Sequence, residues 1–124
     1  MKLKNEVFNN GFIPALRTLL DEKLPVKEAF ELRKLANEVG DKMKVYEESR
    51  MALVKEFGKT DEKGELIVLK DGNVDIEDIE GFKKKFQELL DLEEDYKCQK
   101  ITLPDETQLT TKNLILLEAI LNIK

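Results

Sequence analysis

Hydrophobic residues recur along much of this chain at the spacing of an amphipathic helix. The longest such stretch starts at Pro25 and runs to Phe57, where Gly58 ends it. Its apolar seam alternates spacings of three and four, with one polar interruption: Ala29, Leu32, Ala36, Val39, Met43, Tyr46, Arg50, Leu53 and Phe57. A second seam follows Asp78, a residue suited to cap a helix: Ile79, Phe82, Phe86, Leu89, Glu93 and Tyr96. We predict that the two helices pack as an antiparallel, coiled-coil-like hairpin.

The segment between these two helices has the pattern of a β-hairpin. Residues 65–69 form an apolar run typical of a strand, and residues 74–76 could form a second strand. Between them lies Asp71-Gly72, which is a strong signal for a tight hairpin turn. We therefore predict a helical hairpin whose two helices are joined through a β-hairpin, and we see no internal repeat.

The two ends of the chain predict shorter elements. Residues 2–4 form a candidate strand whose expected partner is residues 99–103, and a short helix is predicted over residues 12–22. A C-terminal helix, capped by Thr110 or Thr111, carries four apolar residues: Leu114, Leu117, Ile120 and Leu121. Either short helix could cover the start of the long helix. Residues 79–96 cannot, because they span only about 27 Å against about 48 Å for residues 26–57.

The whole pattern predicts a single domain over residues 1–124, mainly α in an α+β arrangement. Of the 124 residues, 41% are hydrophobic and 38% are charged, which is enough apolar content for a core under an ion-rich surface. The net charge of −5 disfavours direct nucleic-acid binding, and no apolar run approaches the roughly 20 residues of a membrane span. Because the single Cys98 cannot close an intrachain disulfide, we expect a cytoplasmic protein.

Residue types that most enzymes use are scarce in this sequence. It has no His and one Cys, so a Cys/His zinc site cannot be built. Residues 71–77 begin like a calcium-binding loop, but Ile76 stands at the glycine position and Phe82 at the bidentate glutamate position. We find no glycine-rich phosphate loop and no nucleophile elbow. We therefore expect a non-enzymatic protein without a cofactor, a metal or catalytic residues.

Two features break the usual rules of helix composition and are our candidate partner-binding residues. The first is a group of acidic residues in the last turns of the predicted second helix, where negative charge opposes the helix dipole: Asp91, Glu93, Glu94 and Asp95. The second is Arg50, which interrupts the long seam. The acids could contact a basic partner, and Arg50 could fix register or partner choice. The plain alternatives are a solvated acidic surface with Glu93 near a lysine, and an Arg50 stem lying over Phe86.

Four segments of the chain form a familiar pattern. They are the opening Met1-Lys2-Leu3-Lys4-Asn5, the step from Glu22 to Lys27 into the long helix, the approach from Glu62 to Leu66 to the hairpin, and the closing Leu103-Pro104 to Leu117. This pattern resembles a family of small proteins encoded by tailed bacteriophages and prophages of Gram-positive bacteria. The resemblance implies a viral origin and a bacterial host cytoplasm. It carries no activity and no functional residue.

These observations favour a non-enzymatic interaction protein that binds a host protein during infection and modulates or inhibits it, for host takeover or anti-defence. One alternative is a chaperone or scaffold for virion tail or head assembly, whose partner would be a phage protein. Another is a homo-oligomer that sequesters a small ligand between subunits. Gene neighbourhood separates the first two, because early genes favour the first and tail genes favour the second.

Overall fold

The computed structural model describes residues 1–122 and is mainly helical with one two-stranded antiparallel sheet, as predicted. Its elements are β1 (Lys2–Lys4), α1 (Phe12–Leu20), α2 (Val26–Phe57), α3 (Ile79–Asp91), β2 (Glu93–Asp95) and α4 (Thr111–Leu117), with 3₁₀ turns at Asn5–Asn9 and Glu118–Ile120. Contacts within the chain divide it into two compact units. We call Met1–Met43 with the residues from Glu93 onward the terminal unit, and Lys44–Leu92 the hairpin unit.

The terminal unit contains the main hydrophobic core. The start of α2 is covered by both candidates, because Leu32 is only 1% exposed in a cluster that includes residues of α1 and α4. Ala29, the first residue of the predicted seam, remains exposed. The buried hydrophobic side chains of this cluster are Leu3, Phe12, Ala15, Leu16, Leu19, Leu32, Leu35, Val39, Tyr96, Ile101, Leu117, Ile120 and Leu121.

The terminal sheet has a different partner from the one predicted. β1 pairs with β2, and hydrogen bonds between the backbones of Met1 and Tyr96 continue the pairing beyond the two strands. The predicted pairing with residues 99–103 is wrong. Ile101 instead forms a parallel bridge with Leu121, and its N–H donates to the Ile120 carbonyl at 2.8 Å.

The second helix of the hairpin is shorter than predicted. α3 ends at Asp91, Leu92 is extended, and the placement of Glu93 and Tyr96 on a helical seam is wrong. Acidic residues at a helix C-terminus oppose its dipole, and the same residues are favoured beside the two lysines of β1. The last helix also stops early, since α4 ends at Leu117 and a 3₁₀ turn follows.

The hairpin unit confirms the predicted pair of helices. The Phe57 ring on α2 meets the Phe82 ring on α3 edge-on with centroids 6.1 Å apart, and Phe82 stacks on Phe86 at 5.8 Å. The Lys85 ammonium lies 3.0 Å from the Glu56 carboxylate across the same two helices. Buried hydrophobic side chains are few in this unit: Tyr46, Val54 and Leu90.

The predicted β-hairpin is present as part of a three-segment arrangement, which we call the connector (residues 58–77). Single antiparallel bridges join its three segments: Gly58 to Ile76, Thr60 to Leu66, and Val68 to Val74. Three backbone hydrogen bonds of 2.7–2.9 Å form a closed ring. The Lys59 N–H donates to the Asp75 carbonyl, the Asp75 N–H donates to the Ile67 carbonyl, and the Ile67 N–H donates to the Lys59 carbonyl. Both backbone groups of these three residues are therefore satisfied inside the connector.

Two turns of the connector, eight residues apart, have the same geometry. In the first turn, the Gly64 N–H donates to the Asp61 carbonyl at 3.0 Å; eight residues later, the Gly72 N–H donates to the Leu69 carbonyl at 2.9 Å. Both glycines have positive φ, +81° and +87°, where a side chain would be strained. The two turns therefore share one backbone geometry, which requires glycine at the same position of each.

Candidate functional site

The predicted acidic group is divided between the two units. Asp91 is the last residue of α3, and its carboxylate accepts a hydrogen bond from the Gln87 amide at 3.0 Å. Glu93, Glu94 and Asp95 form β2 in the terminal unit. The prediction that all four lie in the last turns of a helix is wrong, so the opposing helix dipole applies to Asp91 alone.

The acids of β2 face basic residues of β1. Lys2 lies opposite Asp95 and Lys4 lies opposite Glu93 in the antiparallel register. Opposite charges in directly facing positions stabilise a strand pair, typically by a few tenths of a kcal/mol and up to about 1. The positions of Glu93 and Asp95 therefore favour the pairing of β1 with β2, although neither carboxylate forms an ion pair within 4 Å among residues 1–122.

Glu94 points to the other side of the strand pair. Its carboxylate lies 3.5 Å from the ammonium of Lys42, and that ammonium lies 5.7 Å from the centre of the Tyr96 ring. Burial and the nearby carboxylates of Glu94 and Glu38 raise the pKa of the Tyr96 hydroxyl to about 12. We expected Glu93 to lie near a lysine. The acid that pairs with a lysine in this segment is instead Glu94.

Arg50 is engaged on its own helix. Its guanidinium donates through Nε and Nη2 to the Glu47 carboxylate, at 3.1 Å and 3.0 Å. Both side chains are more than a third exposed, so this pair adds little stability. Arg50 therefore pairs with Glu47, one turn earlier on the same helix. The interruption of the seam did not predict this pair.

Glu38 is a structural residue that the sequence pattern did not reveal. Its carboxylate accepts backbone hydrogen bonds from Lys97 at 2.8 Å and Cys98 at 3.0 Å, joining α2 to the segment after β2. Partial burial alone would raise the pKa of this carboxyl, but the hydrogen bonds outweigh burial and lower it. The long range of this contact, about 60 residues, explains why no local signal predicted it.

Cys98 lies beside this carboxylate and packs against the core of the terminal unit. Burial and its hydrogen bond to Glu38 raise the pKa of the Cys98 thiol, which disfavours the reactive thiolate. Among residues 1–122, no group of three or more His, Cys, Asp or Glu side chains could hold a metal ion. Within the same part of the chain, no helix is both long and apolar enough to cross a membrane.

The connector exposes a run of large apolar side chains. Ile67 is 37% exposed, Val68 60% and Leu69 46%. We call these three residues the connector surface. The preceding Leu66 is partly buried, so the exposed run begins one residue after it.

The stretch of sequence that carries the connector surface is strongly acidic. Residues 58–80 contain eight acidic and three basic side chains, a net charge of −5, whereas the rest of the chain is balanced with eighteen of each sign. Four of the acids have defined structural roles: Asp61 and Asp71 hold turns, Asp78 caps α3 and Asp75 pairs with Lys59. Four more are exposed, and their side-chain carboxylates form no hydrogen bond or ion pair within residues 1–122: Glu62, Glu65, Glu77 and Glu80.

A second apolar feature of the hairpin unit is an open groove of about 500 Å³ between α2 and α3. Leu53 and Leu89 line it with Leu92, which is 58% exposed, and Lys85 and Glu88 also line it. The groove carries one charge of each sign, so its charges do not indicate which kind of partner would occupy it.

No protein-family model, no curated protein and no solved structure matches this chain. The function is therefore inferred from the surfaces described above.

Proposed function

We propose that this protein is a non-enzymatic interaction protein that uses its hairpin unit to bind another protein. The observation that supports this function is the uneven distribution of apolar side chains. The hairpin unit has three buried hydrophobic residues and seven large exposed ones: Val45, Met51, Ile67, Val68, Leu69, Ile79 and Leu92. Clustered exposed apolar side chains are typical of protein interaction surfaces.

The partner in this proposal is a protein of a bacterial host, met in the host cytoplasm. Support for the host comes from the resemblance of the chain to small phage proteins. Support for a protein partner comes from charge, because the acidic hairpin unit repels nucleic acids and anionic membranes. Binding would modulate or inhibit the host protein by occupying one of its surfaces.

Site-specific photo-crosslinking in lysate from a Gram-positive bacterium tests this function. The full chain carries p-benzoylphenylalanine in place of Val68 or, separately, of Leu92. The matched control carries it in place of Ile115, which is 64% exposed in the terminal unit. We expect one recurring protein adduct from at least one of the two hairpin positions and none from Ile115. Adducts from Ile115 alone would contradict the use of the hairpin unit.

A further inference from the structure

We infer that the connector surface is the contact site, and that it docks onto a protein surface with an apolar centre rimmed by lysine and arginine. This inference rests on the proposed function and specifies both the site and its partner. It is based on three observations: the ring of backbone hydrogen bonds, the exposed apolar run and the concentration of negative charge.

The hydrogen-bond ring determines how the connector can recognise another protein. Exposed strand edges bind partners by adding a strand through free N–H and C=O groups. In Lys59, Ile67 and Asp75 both groups are already paired within the connector. These three residues therefore offer no backbone group for strand addition, and we infer recognition through side chains on a backbone that the three segments hold together.

The exposed apolar run supplies the centre of the contact. Ile67, Val68 and Leu69 are consecutive and each is more than a third exposed. The connector has no fully buried side chain of its own, so these residues gain little from folding and retain apolar area to bury on binding. A partner must offer an apolar patch to accept them.

The charge around this run determines the rim of the partner surface. The exposed carboxylates of Glu62, Glu65, Glu77 and Glu80 belong to the same acidic stretch of sequence, residues 58–80, as the apolar run. Lys63 and Lys70 are the basic residues of the connector that form no ion pair, since Lys59 pairs with Asp75. Like charges facing each other across an interface are costly, and opposite charges also accelerate association. The geometry therefore points to a rim of lysine and arginine on the partner.

An NMR titration of the ¹⁵N-labelled full chain tests this inference. The probe is a 14-residue helical peptide of leucine and lysine, whose leucine stripe is flanked by lysines. Two matched peptides replace every lysine with glutamate or every leucine with serine. We expect the leucine–lysine peptide to shift amides of residues 62–72, and each matched peptide to bind at least tenfold more weakly. Equal binding by the serine–lysine peptide would show charge attraction only and overturn the inference.

Variants locate the contact. The double substitution Val68→Ser, Leu69→Ser should weaken binding of the leucine–lysine peptide at least tenfold. The double substitution Glu62→Gln, Glu65→Gln should make the affinity for this peptide less dependent on salt concentration. Leu92→Ser in the groove is the control and should bind as the original chain does. Amide spectra outside the connector show that each variant is folded.

The two proposals fail in different ways. If the peptide shifts groove residues, or Leu92→Ser abolishes binding while the connector variants do not, the connector inference is overturned. Cross-links from the Leu92 position would then still support the proposed function. If neither hairpin position gives an adduct and Ile115 does, the proposed function falls as well.

Discussion

The terminal unit and the hairpin unit differ in how many of their apolar side chains they bury. Within residues 1–122, the terminal unit has thirteen buried hydrophobic side chains and five large exposed ones, whereas the hairpin unit has three buried and seven exposed. Buried apolar area is the main source of folding free energy, and exposed apolar area is available for binding. The comparison indicates that buried apolar area, and with it stability, is concentrated in the terminal unit, whereas the binding that we propose uses the hairpin unit.

The largest effect should come from truncating the core of the terminal unit. Leu19 is fully buried, so Leu19→Ala should lower the free energy of unfolding by about 3–5 kcal/mol. Leu92→Ala, at a residue 58% exposed in the hairpin unit, should lower it by less than about 1 kcal/mol. Urea denaturation of both variants measures the difference. Equal losses would contradict the division of stability between the units.

A smaller effect should come from the glycine where α2 meets the connector. A Cβ at Gly58 would lie 2.6 Å from both the Val54 carbonyl oxygen and the Leu66 side chain, so Gly58→Ala should destabilise the chain by about 1–3 kcal/mol. Gly40→Ala is the matched control, because a Cβ there meets nothing within 4 Å in the interior of α2. It should stabilise the chain by about 1 kcal/mol. Thermal unfolding of both variants tests whether their changes have opposite signs.

A pH-dependent effect should come from Glu38 in the terminal unit. Its pKa in the folded chain is below the ordinary value of 4.5, so its contribution is fully present above pH 4.5 and is lost as the pH falls through the folded-state pKa. Glu38→Gln should cost about 1 kcal/mol at pH 7. The difference between the two chains should shrink near pH 3. A difference that is constant from pH 7 to pH 3 would show that the charge of Glu38 has no role.

The smallest effect on stability should come from the connector surface. Val68 is 60% exposed, so Val68→Ser should change the free energy of unfolding by less than about 0.5 kcal/mol. The measurement is urea denaturation under the conditions used for Leu19→Ala. A loss of 2 kcal/mol would mean that Val68 supports the fold and would weaken its assignment to binding.

Local pattern predicted the helices better than the pairing between distant segments. The helical hairpin, its cap at Asp78 and the turn at Asp71-Gly72 depend on neighbouring residues, and the structure contains all three. The partner of Lys2–Lys4 could not be predicted from local pattern, because it depended on where α3 ends. That end is set by the competition between helix propagation past Asp91 and pairing of the following acids with β1.

The candidate site was predicted less well than the fold. Acidic residues were expected to mark the partner surface at Asp91 to Asp95, where the structure gives Glu93 and Asp95 basic residues opposite them in the strand pair. Residues 65–69 were predicted as a strand with no indication of which side chains are exposed, because an apolar run looks the same whether it faces a core or solvent. The three-segment arrangement is too thin to bury the side chains of the connector surface. Their exposure is therefore evident only from the structure.

Hydrogen exchange of the full chain, alone and with its cross-linked host partner, tests the central claim most directly. In the free chain, amides of Leu19, Leu35 and Ile101 should exchange only through global unfolding, while those of the connector should exchange through a lower-energy opening. With the partner bound, added protection should fall on residues 62–72 and leave the terminal unit unchanged. Uniform protection across both units of the free chain, or new protection confined to the terminal unit, would contradict the account.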